Sequence, residues 1–205
     1  MAAIIFDLDG TIADSFDFVA DFLAEKKNGE HLDSREKREL YGLSMLAMAR
    51  KMGHPWWRLL RLLFEGRKEM GKIINQVPVF AGLPEAIRKL QAEGHELFIV
   101  SSNTTQNIHA FLAHHELQTY FLEVYGGASL NKSKTLKALL REQSIDVADA
   151  IYIGDETRDI KAAHAVNMRI VAVTWGFASK EDLRNQRPTA MVHTPGELLA
   201  FLEEL

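Results

Sequence analysis

Short apolar runs separated by amphipathic helical patterns are the feature that most constrains the fold of this chain. Each run ends abruptly in small or polar residues, as buried β-strands do. The runs predicted as strands are Ala3–Phe6, Glu96–Val100, a weaker Phe121–Tyr125, Ala150–Ile153 and Arg169–Val173. Helical patterns such as Leu83–Glu93 and Lys134–Glu142 lie between them. Because strands alternating with helices indicate right-handed βαβ units, the sequence predicts an α/β fold with a parallel sheet.

The segment from about residue 15 to residue 77 breaks this alternation. It has no convincing strand pattern, and its Leu, Met and Phe residues recur at the spacings that are typical of helices. The proline-containing stretch 78–84 marks the return to alternating strands and helices. We therefore expect a separate helical unit inserted after the first strand. Within it, Trp56, Trp57 and the run 59–64 are expected to pack in the core or between domains.

A helix start is visible close to the end of the sequence. Thr194 is suited to the N-cap position, Pro195 to the first helical position and Glu197 to the third. The apolar residues that follow are Leu198, Leu199, Phe201 and Leu202. This pattern predicts a final helix that packs on the core.

The composition excludes several classes of function. The 205 residues include no cysteine, which rules out disulfides, thiolate metal sites and cysteine nucleophiles. The net charge of −4 provides no broad positive field, so neither nucleic acid nor a membrane is expected as a partner. No apolar stretch reaches the ~20 residues of a membrane-spanning helix, and the first residues lack the basic leader of a secretory signal. We therefore expect a cytoplasmic protein.

The polar segment directly after the first predicted strand carries the strongest chemical signal. Asp7 and Asp9 lie two residues apart, beside Gly10, which permits a tight turn. Ligands of open α/β sheets bind outside the carboxyl ends of the strands, where these carboxylates are placed. Taken alone, the pair could also be a simple turn or capping motif after a buried strand.

Polar side chains also follow the other predicted strands, and a parallel sheet brings such groups to one rim. They are Ser101, Ser102 and Asn103, then Lys132 and Lys134, and finally Asp155 and Asp159. Carboxylates, hydroxyls and an ammonium group supply what phosphoryl transfer on a metal ion requires: a nucleophile, fixed donors and charge neutralisation. Taken singly, the serines could equally cap a helix and the lysines could be solvated.

Together these groups resemble the four ordered motifs of haloacid dehalogenase-superfamily phosphatases. The matching residues are Phe6-Asp7-Leu8-Asp9-Gly10-Thr11, the strand end at Ser101, a lysine, and Gly154-Asp155 with Asp159. The resemblance covers nearly the whole chain. It implies a Mg²⁺-dependent, phosphoglycolate phosphatase-like hydrolase that acts on small phosphorylated metabolites.

The resemblance also implies a domain organisation. Residues 1–14 and 80–205 would form a Rossmann-like core with a doubly wound parallel sheet. Residues 15–79 would form a small α-helical cap, inserted after the first motif, which would act as a lid. A lid excludes water until substrate binds and adds specificity contacts.

In the implied mechanism, Asp7 would attack phosphorus and become an aspartyl-phosphate. Asp9 would protonate the leaving oxygen and then deprotonate the hydrolytic water. Mg²⁺ would be bound by Asp7, the backbone carbonyl of Asp9, and Asp155. Asp159 would be a further ligand or a carboxylate just behind the ligands.

The remaining motif residues are implied to bind or position the phosphate group. Those assigned to phosphate contacts are Gly10, Thr11, Ser101 and Ser102. Asn103 would support the site from behind, and Lys132 would neutralise the phosphate and the nucleophile, with Lys134 left as the alternative. Arg158 is expected at the surface or in an ion pair, and Arg67 of the helical segment is expected to be solvated.

Rival functions remain open at the level of sequence. A sugar phosphomutase or another phosphotransferase would use the same core, and a non-catalytic phosphate-binding or interaction module would have lost the chemistry. A dehalogenase fits less well, because it needs neither Asp9 as an acid nor a magnesium site. The loop Thr174–Phe177 resembles a loop beside the active site of phosphoglycolate phosphatase-like members, although simple packing explains it equally well. Both a monomer and a homodimer are compatible with the sequence.

Overall fold

The central sheet is built from six parallel strands in the part of the chain that the computed structural model describes, residues 2–29, 31–128 and 131–204. The strands are β1 (Ala3–Phe6), β2 (Glu96–Val100), β3 (Glu123–Tyr125), β4 (Ala150–Gly154), β5 (Arg169–Val173) and β6 (Ala190–Val192). Their order across the sheet is β3-β2-β1-β4-β5-β6, which is the Rossmann order. The predicted α/β class, with a doubly wound parallel sheet, is therefore confirmed.

The strands are apolar throughout because both faces of the sheet are covered. In β1, Ile4 and Phe6 belong to the apolar cluster on one face, whereas Ala3 and Ile5 belong to the cluster on the other. Successive side chains of a strand point to opposite faces. A sheet buried on both faces therefore favours continuous apolar runs over alternating ones.

Helices flank the strands throughout the described residues. They are α1 (Phe16–Asn28), α2 (Ser34–Leu40), α3 (Met45–Lys51), α4 (Leu59–Ile73), α5 (Leu83–Ala92), α6 (Thr105–His114), α7 (Lys132–Glu142), α8 (Thr157–His164), α9 (Lys180–Asn185) and α10 (Pro195–Glu203). Short 3₁₀ turns lie at Trp56–Arg58, Ile74–Gln76, Gln118–Tyr120 and Val147–Asp149. Within the described ranges, no helix has the length and apolar character needed to cross a membrane.

Two elements start at other residues than the sequence predicted, and one strand was missed. β3 begins at Glu123, so Phe121 precedes it, and α7 begins at Lys132, two residues before the predicted start. β6 was not predicted at all. It is a three-residue edge strand that pairs with β5, and a segment this short carries no periodic signal in the sequence.

The inserted helical segment leaves and re-enters the sheet domain at one place. The N–H of Asp14 donates to the carbonyl of Pro78 at 2.9 Å, and the N–H of Phe80 donates to the carbonyl of Ile12 at 3.0 Å. Helices α1 to α4 lie between these two connections, as the helical pattern of residues 15–79 predicted. That this segment forms a separate domain stays a prediction.

The prediction that Trp56 and Trp57 are packed inside the protein is wrong. Their exposed fractions are 77% and 69%, whereas Leu59 and Leu62 of the following helix are buried. Phe64 is also exposed. Trp56 and Trp57 lie in the 3₁₀ turn before α4, which buries none of its residues, and the helix itself buries only one stripe of its surface. An apolar run that extends around the whole helix therefore leaves part of its side chains in solvent.

Candidate active site

The loops that follow β1, β2 and β4 meet at one edge of the sheet. Phe6 of β1 pairs with Ile153 of β4, and the N–H of Asp7 donates to the carbonyl of Ile153 at 2.8 Å. Asp155 therefore leaves its strand beside Asp7. β2 is paired with β1 in the same parallel sense, so Ser101, directly after β2, reaches the same edge. The expected convergence of strand ends is present.

Three buried carboxylates form the centre of this edge. Oxygen atoms of Asp7, Asp155 and Asp159 lie within 4.8 Å of one another, and each residue is at most 1% exposed. Burial, followed by the charges of Glu156, Asp159 and Asp7, raises the pKa of Asp155 well above its usual value. Buried charges of one sign require countercharge, and oxygen ligands are those that hard divalent cations prefer. The cluster therefore fits a divalent metal ion.

Lys132 supplies the positive charge within the cluster. Its Nζ lies 2.5 Å from Asp7 Oδ2 and 2.5 Å from Asp159 Oδ1. Burial lowers the pKa of Lys132, but the charges of Asp159 and Asp7 outweigh burial, and the net effect is a raised pKa. Lys134, the alternative at the level of sequence, is exposed. The lysine that meets the carboxylates is therefore Lys132.

Asp9 lies beside the cluster and is set up differently from Asp7. Its Oδ2 accepts a hydrogen bond from Asn103 Nδ2 at 3.1 Å, while its Oδ1 is buried and has no hydrogen-bond partner among the residues that the structure describes. Burial and the nearby charge of Asp7 raise the pKa of Asp9. A raised pKa favours the protonated carboxyl, which can donate a proton. Asn103, expected behind the site, is the residue that positions this carboxyl.

Gly10 and Thr11 contact a carboxylate of the cluster in this structure. The hydroxyl of Thr11 donates to Asp155 Oδ1 at 2.9 Å, and the N–H of Phe177 donates to Asp155 Oδ2 at 2.8 Å. Gly10 has a φ of +78°, and a Cβ atom there would lie 2.2 Å from Asp155 Oδ2. Both residues therefore hold or accommodate Asp155. Their assigned contact with phosphate stays a prediction.

The serines after β2 occupy two different environments. Ser101 is fully buried, and its Oγ accepts the N–H of Asn103 at 3.1 Å. Ser102 Oγ accepts a hydrogen bond from Arg158 Nη1 at 3.1 Å. Ser102 borders the cavity described below, so of the two hydroxyls it is the one that faces open space.

A cavity that is partly open to solvent separates the sheet edge from the inserted helices. Its polar lining comes from the sheet edge and one insertion residue: Asp9, Ser102, Asn103, Glu156, Arg158 and Arg67. Its apolar lining comes largely from α1 and α4: Phe18, Val19, Phe22, Leu63 and Met70, together with Met45 and Phe177. A small molecule in this cavity would thus contact Asp9 on one side and the insertion on the other.

Sequence reasoning missed two arginines that border this cavity. Arg158 forms an ion pair with Glu156 at 2.7 Å, in line with the expected ion pair, but it also faces the cavity. Arg67 was expected to be solvated, yet its Nη2 is buried. A signal was present in the sequence, because Arg67 lies four residues after Leu63 and three before Met70. It therefore falls in the apolar stripe of α4.

Comparison with known proteins shows which family the chain resembles. Residues 4–173 match the family model described as haloacid dehalogenase-like hydrolase. A phosphoglycolate phosphatase from Synechococcus elongatus is 34% identical over 209 residues, covering 100% of this chain and 99% of that protein. A 5'-nucleotidase from Pseudomonas aeruginosa is 24% identical, covering 98% of this chain and 94% of that protein.

Solved structures show the same fold. A haloacid dehalogenase-like family hydrolase from Streptococcus pneumoniae superposes with a TM-score of 0.80 at 25% identity, covering 98% of each chain. A predicted phosphatase from Clostridium acetobutylicum superposes with a TM-score of 0.82 at 24% identity, covering 100% of this chain and 99% of that one. The architecture, insertion included, is therefore shared along the full length.

Proposed function

This chain belongs to the haloacid dehalogenase-like hydrolase family and is a phosphatase, and we propose that it hydrolyses small phosphate monoesters through an aspartyl-phosphate on Asp7 with Mg²⁺ as cofactor. The observation that carries the proposal is the buried cluster of Asp7, Asp155 and Asp159 with Lys132. The cluster lies at the carboxyl ends of the parallel strands, where ligands of open α/β sheets bind, and Asp9 stands beside it with a raised pKa.

Asp7 is proposed as the nucleophile. One of its carboxylate oxygens would form a bond to phosphorus while the bond from phosphorus to the ester oxygen breaks. The carboxylate is held for this attack by two contacts, because its Oδ1 accepts the N–H of Leu8 at 2.8 Å and its Oδ2 contacts Lys132. A fixed carboxylate loses little entropy on reaching the reactive geometry.

Asp9 is proposed as the acid and base. It would give its proton to the departing alcohol oxygen, and its carboxylate would then take a proton from the attacking water. Attack by that water breaks the bond from phosphorus to Asp7 and releases inorganic phosphate. The raised pKa and the hydrogen bond from Asn103 support the first role, since they keep a protonated carboxyl oriented.

Mg²⁺ is proposed as the ion held by Asp7, Asp155 and the backbone carbonyl of Asp9, with Asp159 close by. When bound, the ion would neutralise charge on the phosphate oxygens. Thr11 and the N–H of Phe177 keep Asp155 in place by hydrogen bonds to both its oxygens.

Lys132 is proposed to neutralise the phosphate and the nucleophile, while Ser101, Ser102 and the loop backbone would donate hydrogen bonds to the phosphate oxygens. Gly10 and Thr11 would complete the loop around the phosphate.

Residues 15–79 are proposed to act as a cap. Side chains of α1 and α4 form the wall of the cavity opposite Asp9, so movement of the insertion would open or close the site. Closure excludes water that could compete for a reactive intermediate. A cytoplasmic location, expected from the sequence, stays a prediction.

We propose 2-phosphoglycolate as the first substrate to test, because the chain resembles a phosphoglycolate phosphatase along its full length. Phosphate release would be measured over a panel of small esters, with Mg²⁺ and with EDTA. Wild-type protein is expected to release phosphate only with the metal. The release of inorganic phosphate distinguishes a hydrolase from a mutase, which returns the phosphoryl group to an organic acceptor.

The variant Asp7→Asn tests the covalent step. It is expected to lower kcat by at least about 1,000-fold, because an amide is a poor nucleophile toward phosphorus. The matched control is Asp149→Asn, an exposed aspartate next to the amino end of β4, away from the site. If Asp7→Asn keeps near-normal turnover, Asp7 is not the nucleophile.

A further inference from the structure

Arg67 of α4 borders the cavity and has a hydrogen-bond donor that no described residue accepts. Its Nη2 atom is buried and has no hydrogen-bond partner among the described residues. Its guanidinium carbon lies 5.6 Å from the ring centre of Phe64, which restricts where the side chain can point. A buried guanidinium donor without an acceptor is costly unless a ligand supplies one.

The other arginine of the cavity is already compensated. Arg158 forms an ion pair with Glu156 at 2.7 Å and donates to Ser102 Oγ at 3.1 Å. Within the described part of the chain its Nε is buried without a hydrogen-bond partner, but its charge is balanced by that carboxylate. Burial and the charge of Arg158 lower the pKa of Arg67, against the opposing effect of Asp9. Arg67 is thus the arginine of this cavity that lacks a countercharge of its own.

The position of α4 beside Asp9 is fixed by a chain of amide contacts. Asn107 Nδ2 donates to the backbone carbonyl of Arg67 at 2.9 Å and to Asn103 Oδ1 at 2.8 Å. Asn103 Nδ2 in turn donates to Asp9 Oδ2 at 3.1 Å. Gly71, one turn further along α4, allows this approach, because a Cβ atom there would lie 2.7 Å from Asn107 Oδ1.

The location of Arg67 relative to the catalytic groups determines which part of a substrate it meets. The cavity is bordered by Asp9 and Arg67, whereas Asp7 and Lys132 are not among its lining residues. The phosphate group would sit at Asp7 and Lys132, and the leaving alcohol at Asp9. Arg67 therefore shares the cavity with Asp9, the group proposed to meet the leaving alcohol.

We propose that Arg67 binds a carboxylate on the leaving alcohol, so that the preferred substrates are phosphate esters of small hydroxy acids. The inference rests on the proposed function, because Asp9 defines the side of the leaving group. A guanidinium offers a planar pair of donors that matches both oxygens of a carboxylate. The other described residues of the wall opposite Asp9 have apolar side chains or none, so they offer no other side-chain donor to that carboxylate.

The test compares two esters that differ in this one group, 2-phosphoglycolate and ethyl phosphate. Wild-type protein is expected to favour 2-phosphoglycolate in kcat/KM. Arg67→Gln is expected to lower kcat/KM for 2-phosphoglycolate by about 10- to 100-fold, the range for a lost charged hydrogen bond, and to leave ethyl phosphate nearly unchanged. Arg67→Lys keeps the positive charge but loses the planar pair of donors. Its kcat/KM for 2-phosphoglycolate is expected to lie between those of wild-type protein and Arg67→Gln.

The control is Arg61→Gln on the same helix. Arg61 is exposed and paired with Glu65 at the surface, so its loss removes one positive charge from the insertion without touching the cavity. Both esters are expected to react as with wild-type protein. This separates a local contact from the general effect of charge.

Binding supplies a readout that does not depend on turnover. In the Asp7→Asn background, 2-phosphoglycolate is expected to bind about 10-fold or more weakly after Arg67→Gln, measured by calorimetry in the presence of Mg²⁺. Equal losses for both esters, or a wild-type protein that does not discriminate between them, would overturn the role of Arg67 while leaving the phosphatase mechanism standing. Turnover by Asp7→Asn would instead overturn the mechanism. The difference in binding between the two esters would still test the contact of Arg67 with the carboxylate.

Discussion

Lys132 and Lys134 show how about half a turn of helix separates a site residue from a surface residue. Both lie at the start of α7, yet Lys132 is buried against Asp7 and Asp159, whereas Lys134 is exposed. Residues two apart on a helix point roughly 200° away from each other, because each residue turns the helix by about 100°. Only one of two such lysines can therefore face the carboxylates.

We predict that Lys132→Gln lowers kcat/KM for phosphate esters by about 100- to 1,000-fold, since a preorganised charge at the phosphate is lost. Lys134→Gln, at an exposed position, is expected to have the rate of wild-type protein. Initial rates of phosphate release measure both.

Removing Lys132 also leaves buried carboxylates without their cation, which costs about 3–5 kcal/mol in comparable buried pairs. Circular dichroism must therefore confirm that the variant is folded, and Lys132→Arg provides a second variant that retains the charge. Equal, mild effects of Lys132→Gln and Lys134→Gln would remove the lysine from the proposed mechanism.

The residues of the first motif illustrate what sequence can and cannot specify for a single side chain. That Asp7 and Asp9 stand at a strand end follows from local pattern, and the structure places both there. That the hydroxyl of Thr11 turns to Asp155 could not be read from the sequence. The partner lies 144 residues away, and only the pairing of β1 with β4 brings the two together.

At the scale of elements, α10 shows the strength of local signals. The sequence predicted Thr194 as N-cap and Pro195 as the first helical residue, and Thr194 Oγ1 indeed accepts the N–H of Glu197 at 3.1 Å. The carboxylate of Glu197 reaches back to the N–H of His193 at 2.8 Å. Capping involves residues at most four apart, so the sequence contains all the information required.

We predict that Thr194→Ala lowers the free energy of unfolding by about 1 kcal/mol, because the first turn of α10 loses its side-chain acceptor. For a chain of this size the melting temperature should fall by about 2–4 °C. Thermal unfolding followed by circular dichroism measures the shift, and catalytic rates should not change.

The matched control for this helix is Thr119→Ala, which removes an exposed threonine outside any helix N-cap. It is expected to have the same melting temperature as wild-type protein. If both variants lose the same stability, the hydrogen bond of Thr194 contributes nothing specific to α10.

Elements whose definition depends on a neighbour were the ones that sequence missed. β6 exists because Ala190 to Val192 pair with β5 at the edge of the sheet. In α4, the apolar run extends beyond the stripe that the core can cover, so Leu60 and Phe64 are exposed. Which side of a helix faces the core is set by packing against other elements.

At the scale of the whole molecule, the buried carboxylate cluster couples metal binding to stability. Asp7, Asp155 and Asp159 repel one another in the metal-free protein, and an ion that binds only the folded state stabilises it by mass action. Asp155 is held by hydrogen bonds to both its carboxylate oxygens. This arrangement of the metal ligand exists only in the folded protein.

We predict that Mg²⁺ raises the melting temperature of wild-type protein and that EDTA reverses the effect. At a concentration about 100-fold above Kd, linkage adds about 2.7 kcal/mol to the free energy of unfolding. Asp155→Asn should greatly reduce the shift, because one anionic ligand is lost, whereas Asp149→Asn should retain it. A shift that is equal in both variants would place the ion elsewhere.

The sequence by itself determined the α/β class, most strand positions and the polar motifs at the strand ends. These properties follow from local periodicity, capping residues and short motifs, all of which involve only a few neighbouring positions. The physical cause of each lies within the segment that shows it.

Only the tertiary structure decided which side chains meet. The approach of Arg67 to the cavity that holds Asp9 depends on how α4 packs beside α6, and the choice of Lys132 depends on the rotation of α7 about its axis. Such contacts join residues distant along the chain, and they are set by the packing of many side chains at once. No local stretch of sequence contains that information.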